Sequence, residues 1–572
     1  MTAELNLTRD PAHVRHGSNI GQPLTRTDGT LKVTGKARYA ADNHPPGMVY
    51  AVIATSCIAR GRVTALDVVA ARRHPGVIDV MTPAHKPELA EDPDAKGNPF
   101  AFRMELLQSD EVRYANQAIA VVIAETLEAA TEGAALLSPR YQVEIARVGL
   151  DAGEAYAPPV VGIGNPAEVR HGDIDAGLAA ASKRIDATYE TPAQYHNAME
   201  PHAIVAVWDG DRLFLDTPSQ GMAMAQMRIG GLFGVPPGNI HINSPFLGGG
   251  FGSKGLVSGP QVLGIMAAKL VGRPVKLVLR RSQMYGPVGH RPQTRQRIRI
   301  GTGDDGLLTA LEHEARVTTS SFDDFYEPAA DASHTLYTSP AIRTAHEAVR
   351  VDTGTPLFMR APGEATGSIA LESAIDEAAF ACGIDPLEFR LKNYAEVEPI
   401  TGKPFSSKAL RQCYARAAER FGWAGRPLQP RQMRDENGFL VGWGMGTATF
   451  PALMFQGNAR AVIRADGRGV MESGAHDMGQ GAWTALTQIS ADALALDLEQ
   501  ISFLSGHLGP AGCRHRRRLR AHCNGRCRDP QCRRGGDRKA RRTCDLRSAL
   551  AAVRRRQCRR GGAGRAALSP RR

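Results

Sequence analysis

Four glycines in five residues, Gly248, Gly249, Gly250 and Gly252, break up the stretch from Pro245 to Lys254. A strand-like run at 239–243 leads into it and a helix-like run at 259–270 follows. Backbone stripped of side chains in this way exposes N–H groups and lets a bulky anionic or planar ligand come close to the main chain. Phe251 in the middle is foreign to a flexible linker, which would be Gly/Ser throughout. One occupant is a nucleotide: Gly250, Gly252 and Gly255 spell G-x-G-x-x-G between strand and helix, with a second strand at 275–279. That fingerprint also wants an acidic residue about 20 positions on. No Asp or Glu lies between Gly255 and Asp304, and Arg280 and Arg281 at the end of the second strand leave only an NADP-type variant. A tight strand-to-helix turn without any ligand is the alternative.

At 572 residues the chain exceeds what one hydrophobic core supports, so several domains are expected. No apolar run approaches the length that spans a bilayer, and residues 1–10 carry neither a basic nor an apolar signal region. A cytoplasmic location is expected, or a periplasmic one if a partner carries the signal. The net charge of +12 comes from one end: residues 511–572 hold 22 Lys/Arg against three Asp, leaving 48 basic and 55 acidic residues before them. Six of the nine cysteines crowd into the same end, while Cys57, Cys382 and Cys413 are scattered through the body. Three scattered cysteines make neither a disulfide framework nor an iron–sulfur site.

Alternating strand and helix patterns give a mixed α/β, or α+β, fold. Residues 1–24 read as a loose leader. Strands are expected at 48–53, 77–81 and 118–123, and helices at 64–73 and 125–137. Pro158, Pro159, Gly162 and Gly164 mark a linker. Beyond it, 204–208 and 213–215 flank the turn Asp209-Gly210-Asp211 as a hairpin that ends near Gln220. His196, Glu200 and His202 match no familiar zinc spacing, and Pro192 and Pro201 forbid a helix there, so they are read as bracing a pocket wall. Arg360, just before an amphipathic helix at 365–381 stopped by Gly383, is an anion-binding arrangement. Asp385 and Pro386 cap a second helix. Strands at 440–446 and 459–464 precede Gly479-Gln480-Gly481, a loop opening a helix at 483–496, with Gln480 able to donate to and accept from a planar ligand.

Together these stretches resemble the molybdenum-cofactor-binding large subunit of the xanthine dehydrogenase and aldehyde oxidoreductase family. The resemblance rests on Gly248–Lys254, Phe358-Met-Arg-Ala-Pro-Gly363, Met478-Gly-Gln-Gly481, the run 195–202 and Arg273–Arg280, and it covers about residues 25–505. It implies a leader over 1–24, an α/β hammerhead domain over 25–150 and molybdopterin-binding lobes over 165–400 and 425–506, the second incomplete. The cofactor, molybdopterin or its cytosine dinucleotide, would lie between the lobes. Carried over by position, Gln220, Phe251 and Arg360 fall near the molybdenum, and Gly250, Gly252, Gly479, Gln480 and Gly481 along the pterin. The implied reaction hydroxylates aldehydes or heteroaromatics with water-derived oxygen. Electrons would leave through iron–sulfur clusters and FAD on a small and a medium partner subunit, giving a heterotrimer. Purine-oxidising members resemble one another in a Glu after the loop lysine; Gly255 stands there instead, which favours a small aldehyde. Neither nucleic acid nor membrane is expected as a partner.

From His507 to Arg572 the resemblance stops. The family's C-terminal glutamate, its general base, has no counterpart, so no catalytic residue is assigned and the chain is expected to be inactive or barely active. The Arg/Cys/Gly/Ala-rich composition of 507–572 fits an out-of-frame, disordered tail. A nucleic-acid-binding tail and a metal site from Cys513, Cys523, Cys527 and Cys532 are the competing readings.

Overall fold

The computed structural model describes residues 19–90, 102–104, 106–451, 453, 457 and 459–508. The basic stretch from 509 onward, with every reading attached to it, lies outside them. The chain divides into a larger unit, Tyr39–Ile240 with Leu247–Phe455, and a smaller one, Met1–Arg38 with His241–Phe246 and Gln456–Arg572.

The larger unit has the mixed α/β build expected from the alternation of elements. One sheet places strands in the order Arg212–Asp216, Ala203–Asp209, Val275–Val278, Val49–Thr55, Ala118–Ala124 and Val77–Met81. The first two form the anticipated hairpin, with Arg212 opposite Asp209. Helix Gly259–Val271 is hydrophobic on all sides and accordingly buried, with Val262, Leu263, Ile265, Met266, Ala267 and Ala268 at most 1% exposed. Ser258 and Gln261 form a capping box at its start, and Gly272 ends it in the left-handed region.

A second sheet runs Glu168–His171, Ile342–Val351, Leu308–Ser320, Thr294–Thr302 and Lys183–Thr191. Helix Glu364–Cys382 lies on it, burying Ala370, Leu371, Ala374, Ile375, Ala378 and Ala379 against Ile298, Ile300 and Leu311. Ile369 on the same helix is 52% exposed.

Two sequence expectations fail in this unit. The segment expected as one helix at 64–73 is a strand, Gly61–Asp67, followed by a short helix, Val69–Arg73. Pairing with Ser138–Val143 and Glu111–Val112 outweighs the local helical pattern. The strand expected at 440–446 does not form; Gly442, Gly444 and Gly446 leave alternate positions without a side chain to pack. The segment is instead strapped to a buried polar network. The Thr447 N–H donates to Glu372 Oε2 (2.7 Å), and Arg390, fully buried, donates to Glu372 Oε2 (2.9 Å), Asp376 Oδ1 (2.6 Å) and the Met445 carbonyl (3.4 Å). Arg390→Met leaves Glu372 as an unpaired buried charge and is expected to cost about 3–5 kcal/mol. Chemical denaturation of the variant measures this.

In the smaller unit, strand Gly469–Ser473 pairs antiparallel with Ala459–Ile463 and parallel with Ile501–Leu504. Helix Ala482–Leu494 makes the crossover and buries Ala491 and Leu494 against Ile501. Residues 19–22, expected within a loose leader, are tied to this helix. The N–H groups of Asn19 and Ile20 donate to Asp492 (3.3 and 2.8 Å), and Gln488 donates to the carbonyls of Asn19 and Gln22.

Candidate cofactor site

The larger unit brings Gln220, the glycine-rich loop and the Arg360 turn together. Gln220 closes the loop from one side: its Oε1 accepts from the N–H groups of Gly252 (2.9 Å) and Lys254 (3.3 Å), and its own N–H donates to the Lys254 carbonyl (2.7 Å). Glu200 closes it from the other, its Oε2 accepting from the Gly248 N–H (2.9 Å) and from Lys254 Nζ (3.0 Å). The Lys254 side chain is fully buried, and its Nζ also donates to the Glu200 carbonyl (2.8 Å).

The glycines are there for the protein's own packing. A Cβ on Gly252 would sit 1.9 Å from the Phe358 carbonyl oxygen, at a φ of +112°. On Gly248 it would meet Glu200 Cβ at 2.5 Å, and on Gly250 the Gln220 amide oxygen at 2.3 Å. Phe251 adopts φ +54°, an uncommon region for a bulky residue, and its carbonyl accepts the Arg360 N–H (2.9 Å). Ala361 and Asn197 at the same site also have positive φ, 58° and 45°. Several residues in sparsely populated backbone regions persist only where the surroundings over-determine them.

His196, Glu200 and His202 prove to be the expected wall braces. His196 Nε2 pairs with the Phe358 carbonyl (2.9 Å) and His202 Nε2 with the Ser253 carbonyl (3.1 Å). The dinucleotide alternative gains no support from the geometry. The helix after the loop begins at Gly259 with its own capping box, and the loop glycines abut protein atoms rather than leaving space for a pyrophosphate. Arg281 is committed to the carbonyls of Ala198 (2.6 Å) and Met199 (3.0 Å).

Two braces escaped the sequence reading. Arg291 Nη2 donates to the carbonyls of Met359 (3.1 Å) and Arg360 (2.5 Å), and its Nη1 to Gln194 Oε1 (2.9 Å). Glu327 Oε1 accepts from the Gly363 N–H (2.9 Å) and Thr366 Oγ1 (3.0 Å), and lies 3.7 Å from Arg291 Nε. Each of the two stands immediately before a proline, Pro292 and Pro328, which favours extended backbone and is their one local signal. Burial pushes the Glu327 carboxyl up, opposed by the Gly363 hydrogen bond and the Arg291 charge.

Several donors of this frame have no internal acceptor. Among the described residues, the N–H groups of Gly249, Gly250 and Phe251 and the exposed Arg360 guanidinium have no hydrogen-bond or ion-pair partner. Phe251 is 42% exposed. Gly255 follows the loop with its N–H on the Gly252 carbonyl (2.9 Å).

Gly479, Gln480 and Gly481 belong to the smaller unit. Gly479 and Gly481 take φ of +115° and +88° with open space where a Cβ would stand, so backbone conformation rather than crowding selects them. Gln480, expected to face a planar ligand, spends its amide within its own loop, accepting from the Met478 N–H (2.7 Å) and donating to the His476 carbonyl (2.9 Å). Asp477 accepts from the Gly479 and Trp483 N–H groups and pairs with Arg26 (3.3 Å). The N–H groups of Gln480 and Gly481 donate to nothing described.

Burial holds three histidines of the larger unit neutral: His202 and His313 are pushed down to about 3 and His290 to about 4. Unfolded, each takes a proton as pH falls through its ordinary range; folded, it does not. Stability is therefore lost below pH ~6.5, by about 1.4 kcal/mol per pH unit for each histidine. Asp323 works the other way, since burial raises its carboxyl to about 6 and the folded state gains that proton. These four groups together are expected to contribute a loss on the order of 3 kcal/mol at pH 5.5 relative to pH 7. Thermal midpoints at the two pH values measure it.

Residues 160–394 and 416–508 each match a family model described as a molybdopterin cofactor-binding domain. Residues 34–144 match the aldehyde oxidase and xanthine dehydrogenase a/b hammerhead domain. The aldehyde oxidoreductase molybdenum-binding subunit PaoC of Escherichia coli K12 is 38% identical over 494 residues, which is 86% of this chain and 65% of that one. A putative xanthine dehydrogenase molybdenum-binding subunit, XdhA, of the same organism is 28% identical over 84% of this chain and 66% of its own. Among solved structures, quinoline 2-oxidoreductase from Pseudomonas putida 86 shares the fold with a TM-score of 0.72 at 22% identity, over 86% of this chain and 66% of the other. The chain thus spans about 65% of the length of the first curated relatives it matches.

Proposed function

The chain belongs to the family of molybdenum-cofactor-binding large subunits of xanthine dehydrogenases and aldehyde oxidoreductases, and on that premise we propose that Gly248–Lys254 and the Arg360 turn seat molybdopterin for the oxidation of an aldehyde. The observation that carries this reading is a row of unpartnered donors, Gly249, Gly250 and Phe251 N–H with the Arg360 guanidinium, on a backbone held by Gln220 and Glu200. A long, flat, multiply charged cofactor needs such distributed donors rather than one deep pocket, and the residues present fit it. Bound there, it would supply the two-electron oxidation of a carbonyl or heteroaromatic carbon, with oxygen drawn from water.

The chain's own residues bind and orient. Arg360 offers a planar fork of donors to an anionic group, and the loop N–H groups add fixed partial charges beside it. Phe251, held at its positive φ, presents an apolar face that limits water at the same place. Gly250 keeps Gln220 in place, and Gly252 keeps the loop against Phe358. Gly479, Gln480 and Gly481 are proposed as the smaller unit's pterin donors, through backbone N–H groups rather than the Gln480 amide. The cytosine dinucleotide form, the iron–sulfur and FAD partner subunits and the heterotrimer belong to the same proposal. The names of several relatives, which describe them as subunits, support an assembly with partner chains.

Gly255 narrows the substrate. A purine offers polar edges that a side-chain-free position leaves without a partner, and such mismatches discriminate strongly. The complete complex is expected to oxidise aldehydes at least about 100-fold faster than xanthine, judged by kcat/KM. Comparable xanthine turnover would overturn the assignment to aldehydes.

A further inference from the structure

The Arg360 turn is held in a way the cofactor reading does not require. Ala361 and Gly363 both sit at positive φ, and a Cβ on Gly363 would meet the Pro328 carbonyl oxygen at 2.6 Å. Such a turn does not stay in place by its own preference. Arg291 grips its carbonyls at Met359 and Arg360, and Glu327 grips its N–H at Gly363, from a site where Arg291 is 7% and Glu327 0% exposed. The two side chains lie 3.7 Å apart, and Arg291 is further fixed by Gln194, both through its side chain and through a backbone pair (3.1 and 2.8 Å).

We infer that Arg291 and Glu327 are positioning residues that clamp the 359–363 turn and thereby aim the Arg360 guanidinium outward. The role of Arg360 rests on the proposed function; the clamp itself does not. Burying two ionisable groups is costly unless they pair and find further hydrogen bonds. Here three of those further bonds, from Arg291 to the Met359 and Arg360 carbonyls and from the Gly363 N–H to Glu327, end on one short turn, so the pair's geometry is transmitted to the residue between its two grips.

The test uses the full chain and reads the turn directly. Arg360 is exposed, and the Arg360–Ala361 bond is open to trypsin once the turn loosens. In the native protein, Arg291→Met is expected to raise the rate of cleavage at Arg360 at least tenfold over wild type, with cleavage at Arg212, at the exposed start of a hairpin strand, unchanged. Glu327→Ala is expected to do the same. Glu327→Gln keeps an oxygen acceptor for Gly363 and is expected to restore protection, a rescue that general destabilisation does not give. Should Arg291→Met fail to fold, Gln194→Ala, which removes only the side-chain anchor of Arg291, is expected to give a smaller increase at the same bond. Unchanged cleavage at Arg360 in the folded variants, or equal acceleration at Arg360 and Arg212, overturns the clamp. Pterin content of the same samples separates the two ideas: faster cleavage with full pterin contradicts the cofactor role of Arg360 and leaves the clamp standing.

Discussion

Gly252→Ala is expected to strip the chain of pterin and to lower its stability by about 3–5 kcal/mol, a strained φ and a steric clash contributing together. A methyl group at this position would stand 1.9 Å from the Phe358 carbonyl oxygen, and the obstacle is backbone, which cannot rotate away. The φ of +112° adds strain for any L side chain. Relief requires the loop and the 358–363 turn to move apart, which breaks the hydrogen bond from the Arg360 N–H to the Phe251 carbonyl. Gly250→Ala supplies the contrast. Its methyl would meet the end of the Gln220 side chain, which can swing aside. Its stability cost is expected to stay at about 2 kcal/mol, the scale of the two hydrogen bonds that the Gln220 amide oxygen accepts. Urea denaturation followed by circular dichroism distinguishes the two, and equal costs would show that the Phe358 contact does not limit the loop.

Lys254→Met is expected to cost a similar 3–5 kcal/mol by a different route. The ammonium is fully buried and donates to both the carbonyl and the carboxylate of Glu200. Methionine fills most of the volume but leaves Glu200, 10% exposed at its side chain, as an uncompensated charge. Burial opposes the charged form of Lys254 and pushes its pKa down, and the charge and hydrogen bond of Glu200 work against that shift. The double variant Lys254→Met/Glu200→Gln removes both charges and keeps an oxygen for the Gly248 N–H. It is expected to recover at least half of the loss, and no recovery would mean the pair acts through packing alone.

The sequence displayed the parts of this site that are local. The glycine density, the Asp385/Pro386 cap and the hairpin at 209–212 all form as their short-range chemistry dictates. So does the bracing role of His196, Glu200 and His202, because prolines excluded the helix that a metal reading needs. What stayed hidden is set by tertiary contact. Arg291 and Glu327 are single charged residues in unremarkable surroundings, 69 and 36 residues from the atoms they hold. The Gly61–Asp67 strand was masked because its partner, Ser138–Val143, lies some 75 residues further on. Gln480 looked like a ligand contact, yet its amide finds nearer partners in Met478 and His476. Polar side chains beside glycine-rich turns satisfy the turn's own backbone first.

The central claim is that this chain carries a molybdopterin seat whose unpartnered donors include Arg360. The most direct test is the pterin and molybdenum content of the wild-type chain and of Arg360→Met, both purified from a host that makes the cofactor. The account predicts about one pterin and one molybdenum per wild-type chain, with both largely lost in Arg360→Met at unchanged stability. A folded wild-type chain without pterin, or an Arg360→Met variant that retains it in full, would contradict the account.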